Sequence, residues 1–131
     1  MREQLETSVA VSERLQSYLG AWVSLDPESV SQQYLEGGTH RGPGVIGRVP
    51  DVTDATVRGA AAIREFVASY APVKGTLRYR VTWVLETQST SVVEYEFLIG
   101  TQDRPGLATE IIEWSGDRVR SARAYVLAAP G

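Results

Sequence analysis

The chain has 131 residues, a net charge of −3 and no cysteine. This length suits one domain with its own core, so we expect a single domain over residues 1–131, and the acidic balance argues against nucleic-acid partners. The lack of cysteine excludes disulfides and thiol catalysis, and a single histidine supplies too few ligands for a catalytic metal, so we predict no metal and no cofactor.

The sequence has no pattern of an exported or membrane-spanning protein. The N-terminal segment lacks the charged start followed by an apolar stretch that a secretory signal requires. No apolar run approaches the roughly 18 residues of a membrane span. We therefore expect a cytoplasmic protein with no membrane partner.

The first part of the chain predicts two helices. Residues 1–24 carry apolar side chains three and four positions apart, which is the stripe of an amphipathic helix. Asp26 and Pro27 are typical of the cap and first position of a second helix. Tyr34 would lie on the inner side of that helix, and the glycine pair beginning at Gly37 would end it.

A loop-rich stretch separates these helices from a third. Residues 39–59 are rich in glycine and proline, which predicts a short strand near His40 and then a long loop. A loop of this length is often functional. Residues 60–70 predict a third helix with Phe66 on its inner side.

The second half of the chain alternates apolar and polar residues with a period of two, as half-buried strands do. Residues 77–86 place Trp83 on the inner parity. Residues 93–99 place Tyr95 and Phe97 on the inner parity of the next strand. Both segments are therefore predicted to be neighbouring strands with aromatic inner faces.

The opposite parity of these two strands carries charged residues, namely Arg78, Arg80, Glu94 and Glu96. We predict that they pair across the strands on the outer face of the sheet. That face is either solvated or covered by a second copy of the chain. In the second case the protein is a homodimer.

Residues 107–128 predict a strand, a tight turn and a final strand. Glu110 shares the parity of apolar residues and is therefore expected among them. A three-residue loop would pair Glu110 with Ala122, whereas a two-residue loop would bring Arg123 beside it. We favour the three-residue loop because it surrounds the acid with small apolar side chains.

Helices followed by antiparallel strands predict an α+β fold, with three N-terminal helices packed on a curved, mostly antiparallel sheet. Four landmarks together resemble the ketosteroid isomerase and SnoaL-like polyketide cyclase branch of the nuclear transport factor 2-like superfamily. They are YLGAWVSLD from Tyr18, the turn that begins at His40, GAAAIREF from Gly59, and the closing hairpin. The resemblance implies a cone-shaped α+β barrel whose cavity holds a small hydrophobic ligand.

The resemblance also assigns roles to individual residues. Tyr18 falls at the oxyanion-hole tyrosine of the isomerases, and Glu110 falls where they keep a protonated aspartic acid. Gly42 falls at the position of their general base, so that base is missing. His40 is the single side chain whose unperturbed pKa, about 6.5, lies near neutral pH. We therefore predict it as the substitute base.

The predicted cavity wall combines aromatic rings with small residues, which suits a flat polycyclic or polyene ligand. Packing in the core is the alternative explanation for its large side chains. The predicted wall residues are Trp22, Phe66, Trp83, Tyr95, Phe97, Ile112, Trp114, Ala122 and Ala124.

We therefore predict a cofactor-free isomerase or cyclase acting on a hydrophobic, polyketide-like or steroid-like ligand. Glu110 and Tyr18 would polarise a carbonyl group, and His40 would move a proton. One alternative is an epoxide hydrolase or cyclase with Glu110 as general acid. The others are a non-catalytic module that binds a hydrophobic ligand, and a catalyst that only folds a polyene into a reactive shape.

Overall fold

A computed structural model describes residues 4–46, 48–49 and 54–131. A short 3-10 turn, Ala71–Val73, follows the third helix. In chain order the other described elements are β1 (Leu5–Thr7), α1 (Glu13–Ser24), α2 (Pro27–Ser31), β2 (Tyr34–Arg41), β3 (Thr56–Arg58), α3 (Ala60–Ala68), β4 (Arg78–Glu86), β5 (Thr90–Leu98), β6 (Gly106–Ser115) and β7 (Arg118–Ala128).

The strands form one seven-stranded sheet in the order β1-β4-β5-β6-β7-β2-β3. The β1–β4 and β2–β7 pairs are parallel, and the other pairs are antiparallel. The three helices pack on one face of this curved, open sheet, so the predicted α+β class is confirmed. None of the helices in the described ranges has the length and apolar character of a membrane span.

The first helix is shorter than predicted. Leu5–Thr7 is a strand because its backbone pairs with β4 at the sheet edge. The helix begins only after Ser12, whose hydroxyl accepts the Leu15 amide as an N-cap. Its inner stripe, which includes Tyr18, is fully buried against the sheet.

A set of hydrogen bonds fixes the start of α1 on the sheet. The Glu86 carboxylate accepts the backbone amide of Ser12 at 2.9 Å and its hydroxyl at 2.7 Å. The same carboxylate accepts the hydroxyl of Ser91 at 2.7 Å, and Ser91 in turn accepts Trp114 Nε1–H at 2.8 Å. These bonds tie α1 to β4, β5 and β6, and so set where the helix presents its inner side chains.

The second helix ends earlier than predicted. Asp26 caps it as expected, accepting the Ser29 amide at 3.0 Å, but Tyr34 already belongs to strand β2. The glycine at Gly37 has a φ of +73° and lies where the register of β2 against β7 shifts. The glycine pair is therefore an irregularity within a strand, not a helix end.

The predicted position of Trp83 on the inner face is wrong. Val81 pairs with Tyr95, but Trp83 pairs with Glu94, so Thr82 is an extra residue in β4. This β-bulge reverses the alternation for the rest of the strand. Trp83 consequently lies on the outer face, where it is 50% exposed. On the first part of that face Arg80 pairs with Glu96 at 2.7 Å, as predicted.

The closing hairpin combines features of both predicted registers. Ser115 pairs with Arg118, so the loop has two residues and not three. A shift follows, in which Trp114 pairs with Val119 but Glu113 pairs with Ser121. This bulge restores the predicted face of Glu110, but the predicted pairing with Ala122 is wrong: Glu110 lies opposite Ala124. Arg123 lies on the outer face.

The serine that joins Glu86 to Trp114 gives a test of this anchoring. We expect Ser91→Ala to lower the free energy of unfolding by about 1 to 3 kcal/mol, because a buried indole N–H loses its acceptor. Urea unfolding measures the change. Ser89→Ala, in the exposed turn two residues earlier, is the matched control and should change stability by less than about 0.5 kcal/mol. Equal effects of the two substitutions would contradict the prediction.

Candidate active site

A cavity of about 270 Å³ lies between α1, α3 and the inner face of the sheet. This volume is close to the lower end of the range for small-molecule sites, about 300 to 1,000 Å³. Glu110 and His40 both line it, so two of the predicted catalytic residues share one cavity. The predicted wall residues that line it are Trp22, Phe66, Tyr95, Phe97 and Ala124.

Glu110 is a carboxyl group buried in the sheet core, with 3% of its surface exposed. It faces inward because it pairs with Val93 on one side and Ala124 on the other. Its Oε2 accepts the Tyr18 hydroxyl at 2.5 Å, and its Oε1 accepts the Tyr95 hydroxyl at 2.8 Å. One helix and one strand thus hold both carboxyl oxygens in place.

Burial raises the pKa of Glu110 above its ordinary value, because the charged carboxylate loses its hydration. The hydrogen bonds from Tyr18 and Tyr95 oppose this rise, since they stabilise the charged form. Burial also raises the pKa of both tyrosines, and the negative charge of Glu110 raises them further. Both tyrosines therefore remain protonated donors, and Glu110 is the group of this cluster that changes charge.

The hydrogen bonds continue from Tyr18 to His40. The hydroxyls of Tyr18 and Tyr34 are 3.1 Å apart, and the Tyr34 hydroxyl lies 2.9 Å from Nδ1 of His40. Trp22 Nε1–H also donates to the Tyr34 hydroxyl, at 3.3 Å. An unbroken chain of contacts therefore joins Glu110 to His40 through two buried tyrosines.

His40 lies in strand β2 and is buried, with 6% of its surface exposed. Its ring packs 4.7 Å from the Trp22 ring and 5.7 Å from the Phe66 ring, measured between centroids. This burial lowers the pKa of His40 to about 4, because an imidazolium would be poorly solvated there. The imidazole is consequently neutral near pH 7, with a free lone pair on one nitrogen.

Gly42, the position that the resemblance assigns to the missing base, also lines the cavity. A Cβ at this position would lie 3.7 Å from Nε2 of His40 and 3.5 Å from Cβ of Ala124. The second ring nitrogen of His40 therefore reaches the part of the cavity where a side chain at position 42 would begin.

No family model matches the sequence, and no curated protein matches it. A protein from Catenulispora acidiphila with a ketosteroid isomerase-like fold, in complex with trimethylamine, gives a TM-score of 0.69 at 16% identity over 88% of this chain and 86% of that one. TerC, co-crystallised with polyporic acid, gives a TM-score of 0.67 at 16% identity over 88% of this chain and 92% of that one. A SnoaL-like protein of unknown function from Burkholderia thailandensis gives a TM-score of 0.61 at 19% identity over 86% of this chain and 90% of that one.

The chain has the nuclear transport factor 2-like fold. The predicted resemblance and the α+β cone are thereby confirmed at the level of the fold. Identities below 20% in these comparisons carry no statement about the reaction. The chemistry of the protein follows from its own cavity.

Several of the predicted site residues lie outside the cavity. Trp83 is on the outer face of the sheet, because the bulge in β4 reverses its side. Ile112, Trp114 and Ala122 are buried in the core, and none is among the described residues that line the cavity. Tyr18 is fully buried behind Glu110, so its hydroxyl positions the acid without lining the cavity.

Other residues of the site were not predicted from the sequence. The sequence pattern places Tyr34 in the second helix and therefore does not predict its hydrogen bond with His40. In the structure Tyr34 is the first residue of β2, and its hydroxyl contacts Nδ1 of His40. Tyr79 lines the cavity, and its ring lies 4.3 Å from the Tyr95 ring. The alternation of β4 already placed Tyr79 inward, and that signal could have identified it.

A cation also lines the cavity. The guanidinium of Arg48 lies 4.0 Å from the centre of the Tyr70 ring, and both residues belong to the cavity lining. Among the described residues no group of three or more His, Asp or Glu side chains is arranged to hold a metal ion.

The lowered pKa of His40 predicts a pH-dependent stability. As the pH falls below about 6.5, the unfolded chain protonates its histidine while the folded chain resists until about 4. The unfolded state then binds more protons, so the folded state loses up to about 3 kcal/mol across this window, and this contribution is fully present above it. Urea unfolding from pH 7 to pH 4, compared with the non-titrating His40→Gln, measures the difference. Parallel curves for the two proteins would rule out a buried neutral imidazole.

Proposed function

We propose that the protein is a cofactor-free isomerase or cyclase that moves a proton on a hydrophobic carbonyl compound. The observation that supports this most is the arrangement of Glu110 and His40. A buried carboxyl group and a buried neutral imidazole line one apolar cavity and are joined by hydrogen bonds. A carboxyl group with a raised pKa and an imidazole with a lowered pKa can exchange a proton through these hydrogen bonds, which is what general acid–base catalysis requires.

The roles follow from which atoms reach the cavity. Nε2 of His40 removes a proton from a carbon next to the ligand's carbonyl group. The carbonyl oxygen binds near Glu110 and the Tyr95 hydroxyl. As Glu110 becomes protonated, Tyr95 turns its single proton from Oε1 of Glu110 to the developing enolate, and a hydrogen bond of this kind is worth about 3 kcal/mol in a dry site. Tyr18 holds Glu110 in position. Returning the proton to a different carbon completes an isomerisation, and attack of the enolate on a second carbonyl of the ligand gives a ring.

The cavity walls define the ligand class of this proposal. Trp22, Phe66 and Phe97 provide flat apolar surfaces, and Ala124 leaves room beside the acid. This composition suits a flat polycyclic molecule with one carbonyl oxygen directed at Glu110. TerC, which has the same fold, was co-crystallised with polyporic acid.

A panel of β,γ-unsaturated ketones, steroidal and aromatic, tests the proposal, because isomerisation gives conjugated products that ultraviolet absorbance detects. We expect turnover of at least one compound, and a loss of kcat/KM of about 10² to 10⁴ in Glu110→Gln and in His40→Gln. Glu113→Gln is the matched control, because this glutamate lies three residues along β6 and pairs with Arg120 and Arg123 outside the cavity. Unchanged turnover in both site variants would contradict the proposed roles.

A binding module without turnover is the second candidate function. Two observations favour it: Gly42 supplies no carboxylate base, and both oxygens of Glu110 already accept hydrogen bonds from the protein. Quenching of tryptophan fluorescence by polyporic acid separates the two candidates. Saturable binding together with no turnover across the ketone panel would support the module.

We also propose a homodimer formed through the outer face of the sheet. Trp83 and Leu85 are 50% and 56% exposed there, and Tyr125 lies in the same row as Trp83 across the paired strands. Glu94 and Thr109 lie between Trp83 and Tyr125 in that row. The face thus combines large apolar side chains with polar ones, which is the kind of surface that a second copy covers.

Sedimentation velocity tests the dimer. We expect twice the chain mass of 14.3 kDa for the unmodified protein and a shift to monomer in Trp83→Glu. Ile46→Glu is the matched control, because Ile46 is also 50% exposed but lies in the loop after β2. A monomeric unmodified protein would contradict the proposal.

A further inference from the structure

The number of protons on the groups from Glu110 to His40 limits which of their hydrogen bonds can form at the same time. A tyrosine hydroxyl donates one hydrogen bond and accepts up to two, and a neutral imidazole donates from only one nitrogen. The Tyr34 hydroxyl must accept from Trp22 Nε1–H, which has no lone pair to offer in return. Its own proton can therefore point either to Nδ1 of His40 or to the Tyr18 hydroxyl.

With the Tyr95 hydroxyl donating to Oε1 of Glu110, two arrangements satisfy the contacts that run from Glu110 to His40. In the first, Glu110 is neutral and donates from Oε2 to Tyr18, Tyr18 donates to Tyr34, and Tyr34 donates to Nδ1, so His40 carries its proton on Nε2. In the second, every donor points the other way, from Nδ1–H to Tyr34, to Tyr18 and to a Glu110 carboxylate. The lone pair of His40 is then on Nε2, at the cavity wall.

We propose that Tyr34 and Tyr18 form a proton relay, through which His40 passes a proton from Nδ1 towards Glu110 when Nε2 takes one from the ligand, and recovers it when Nε2 gives its proton back. The inference deepens the proposed function and rests on it. It assigns Tyr34 and Tyr18 as positioning residues that carry protons without touching the ligand, and it gives Glu110 a second role as the proton store.

Each step of the relay balances. A C–H bond of the ligand breaks, its proton forms a bond with Nε2, and the ligand keeps the electron pair as an enolate. The Nδ1 proton moves to Tyr34, the Tyr34 proton to Tyr18, and the Tyr18 proton to Oε2 of Glu110. The negative charge has moved from Glu110 to the ligand. When Nε2–H gives its proton to another carbon, the three transfers reverse and the carboxylate is restored.

The relay removes a difficulty that the burial of His40 creates. A histidine base that kept the proton would become an imidazolium among the rings of Trp22 and Phe66, with little solvation. Passing the second proton to Tyr34 keeps the ring neutral throughout. The proton ends on Glu110, where burial favours the neutral, protonated form of the carboxyl group.

The single histidine of the chain makes the test direct, because nitrogen-15 labelling of histidine reports on His40 alone. Protonated and unprotonated ring nitrogens differ widely in chemical shift, so the spectrum shows which nitrogen carries the proton. The carboxyl carbon of Glu110 is followed in parallel with carbon-13. The titration runs from about pH 5 to about pH 10, above the range in which His40 itself becomes charged.

The other titratable or charged groups in the described cavity lining are Tyr70, Tyr79, Tyr95 and Arg48. Burial raises the pKa of these three tyrosines, so they keep their protons over most of the titration. A change in the histidine spectrum that coincides with the Glu110 carboxyl is therefore due to Glu110.

We expect His40 to change from the Nε2–H to the Nδ1–H form as Glu110 loses its proton, with one shared midpoint. In Tyr34→Phe the carboxyl should still titrate, but the tautomer should no longer follow it. Tyr18→Phe is the second variant, in case Tyr34→Phe does not fold, and it should uncouple the two groups in the same way. Tyr70→Phe is the matched control, since Tyr70 lines the cavity but is outside the chain of contacts, and the coupled change should persist.

A tautomer that does not change while Glu110 titrates would overturn the relay, and so would a change that survives in Tyr34→Phe and Tyr18→Phe. A carboxyl that keeps one charge state over the whole range would also overturn it, because the relay needs both states. Coupled titration without turnover of the ketone panel would remove the proposed reaction and leave the relay. Turnover without coupling would leave the reaction and remove the relay.

Discussion

The burial of one carboxyl group is the constraint on which the site depends. An ionised acid in an apolar core is costly unless hydrogen bonds replace its hydration. Glu110 obtains those bonds from Tyr18 and Tyr95, which come from α1 and β5. The helix must therefore lie at a fixed distance from the sheet. The hydrogen bonds that Ser12, the N-cap of α1, donates to Glu86 of β4 supply that restraint.

Much of the fold could be predicted from the sequence because periodicity is a strong signal. The helical stripe around Tyr18 and the alternation around Tyr95 both led to the observed faces. The errors occurred where one extra residue interrupts a strand, since a period of two carries no warning of a bulge. Trp83 was placed on the wrong face for this reason, and the hairpin loop length was wrong while the face of Glu110 was right.

The candidate site was predictable to a lesser degree. Glu110 could be identified because it is an acid among apolar residues of one strand, and His40 because it is the single histidine of the chain. Both line the cavity. Tyr34 could not be identified, because its role depends on a strand irregularity at Gly37 and on a partner six residues away. The spacing between Tyr34 and His40 has no meaning until the pairing of β2 with β7 is known.

Burial disfavours the charged form of both central groups of the cavity. Burial raises the pKa of Glu110 and lowers the pKa of His40 for the same reason, the loss of hydration. A hydrophobic ligand then enters a site that holds few fixed charges, so little hydration has to be removed when it binds. This property would serve a catalyst and a binding module alike, and it explains why the shape of the cavity does not distinguish them.

Two of the bulges also matter for comparing this chain with its structural neighbours. Thr82 in β4 and Arg120 in β7 are extra residues, and the strands on either side of them keep the same partners without them. A relative that lacks either residue needs a one-residue gap there to align correctly. Without that gap, each aligned pair of residues between the bulge and the turn would match an inward-facing residue with an outward-facing one. At low sequence identity such a misalignment would not be noticed.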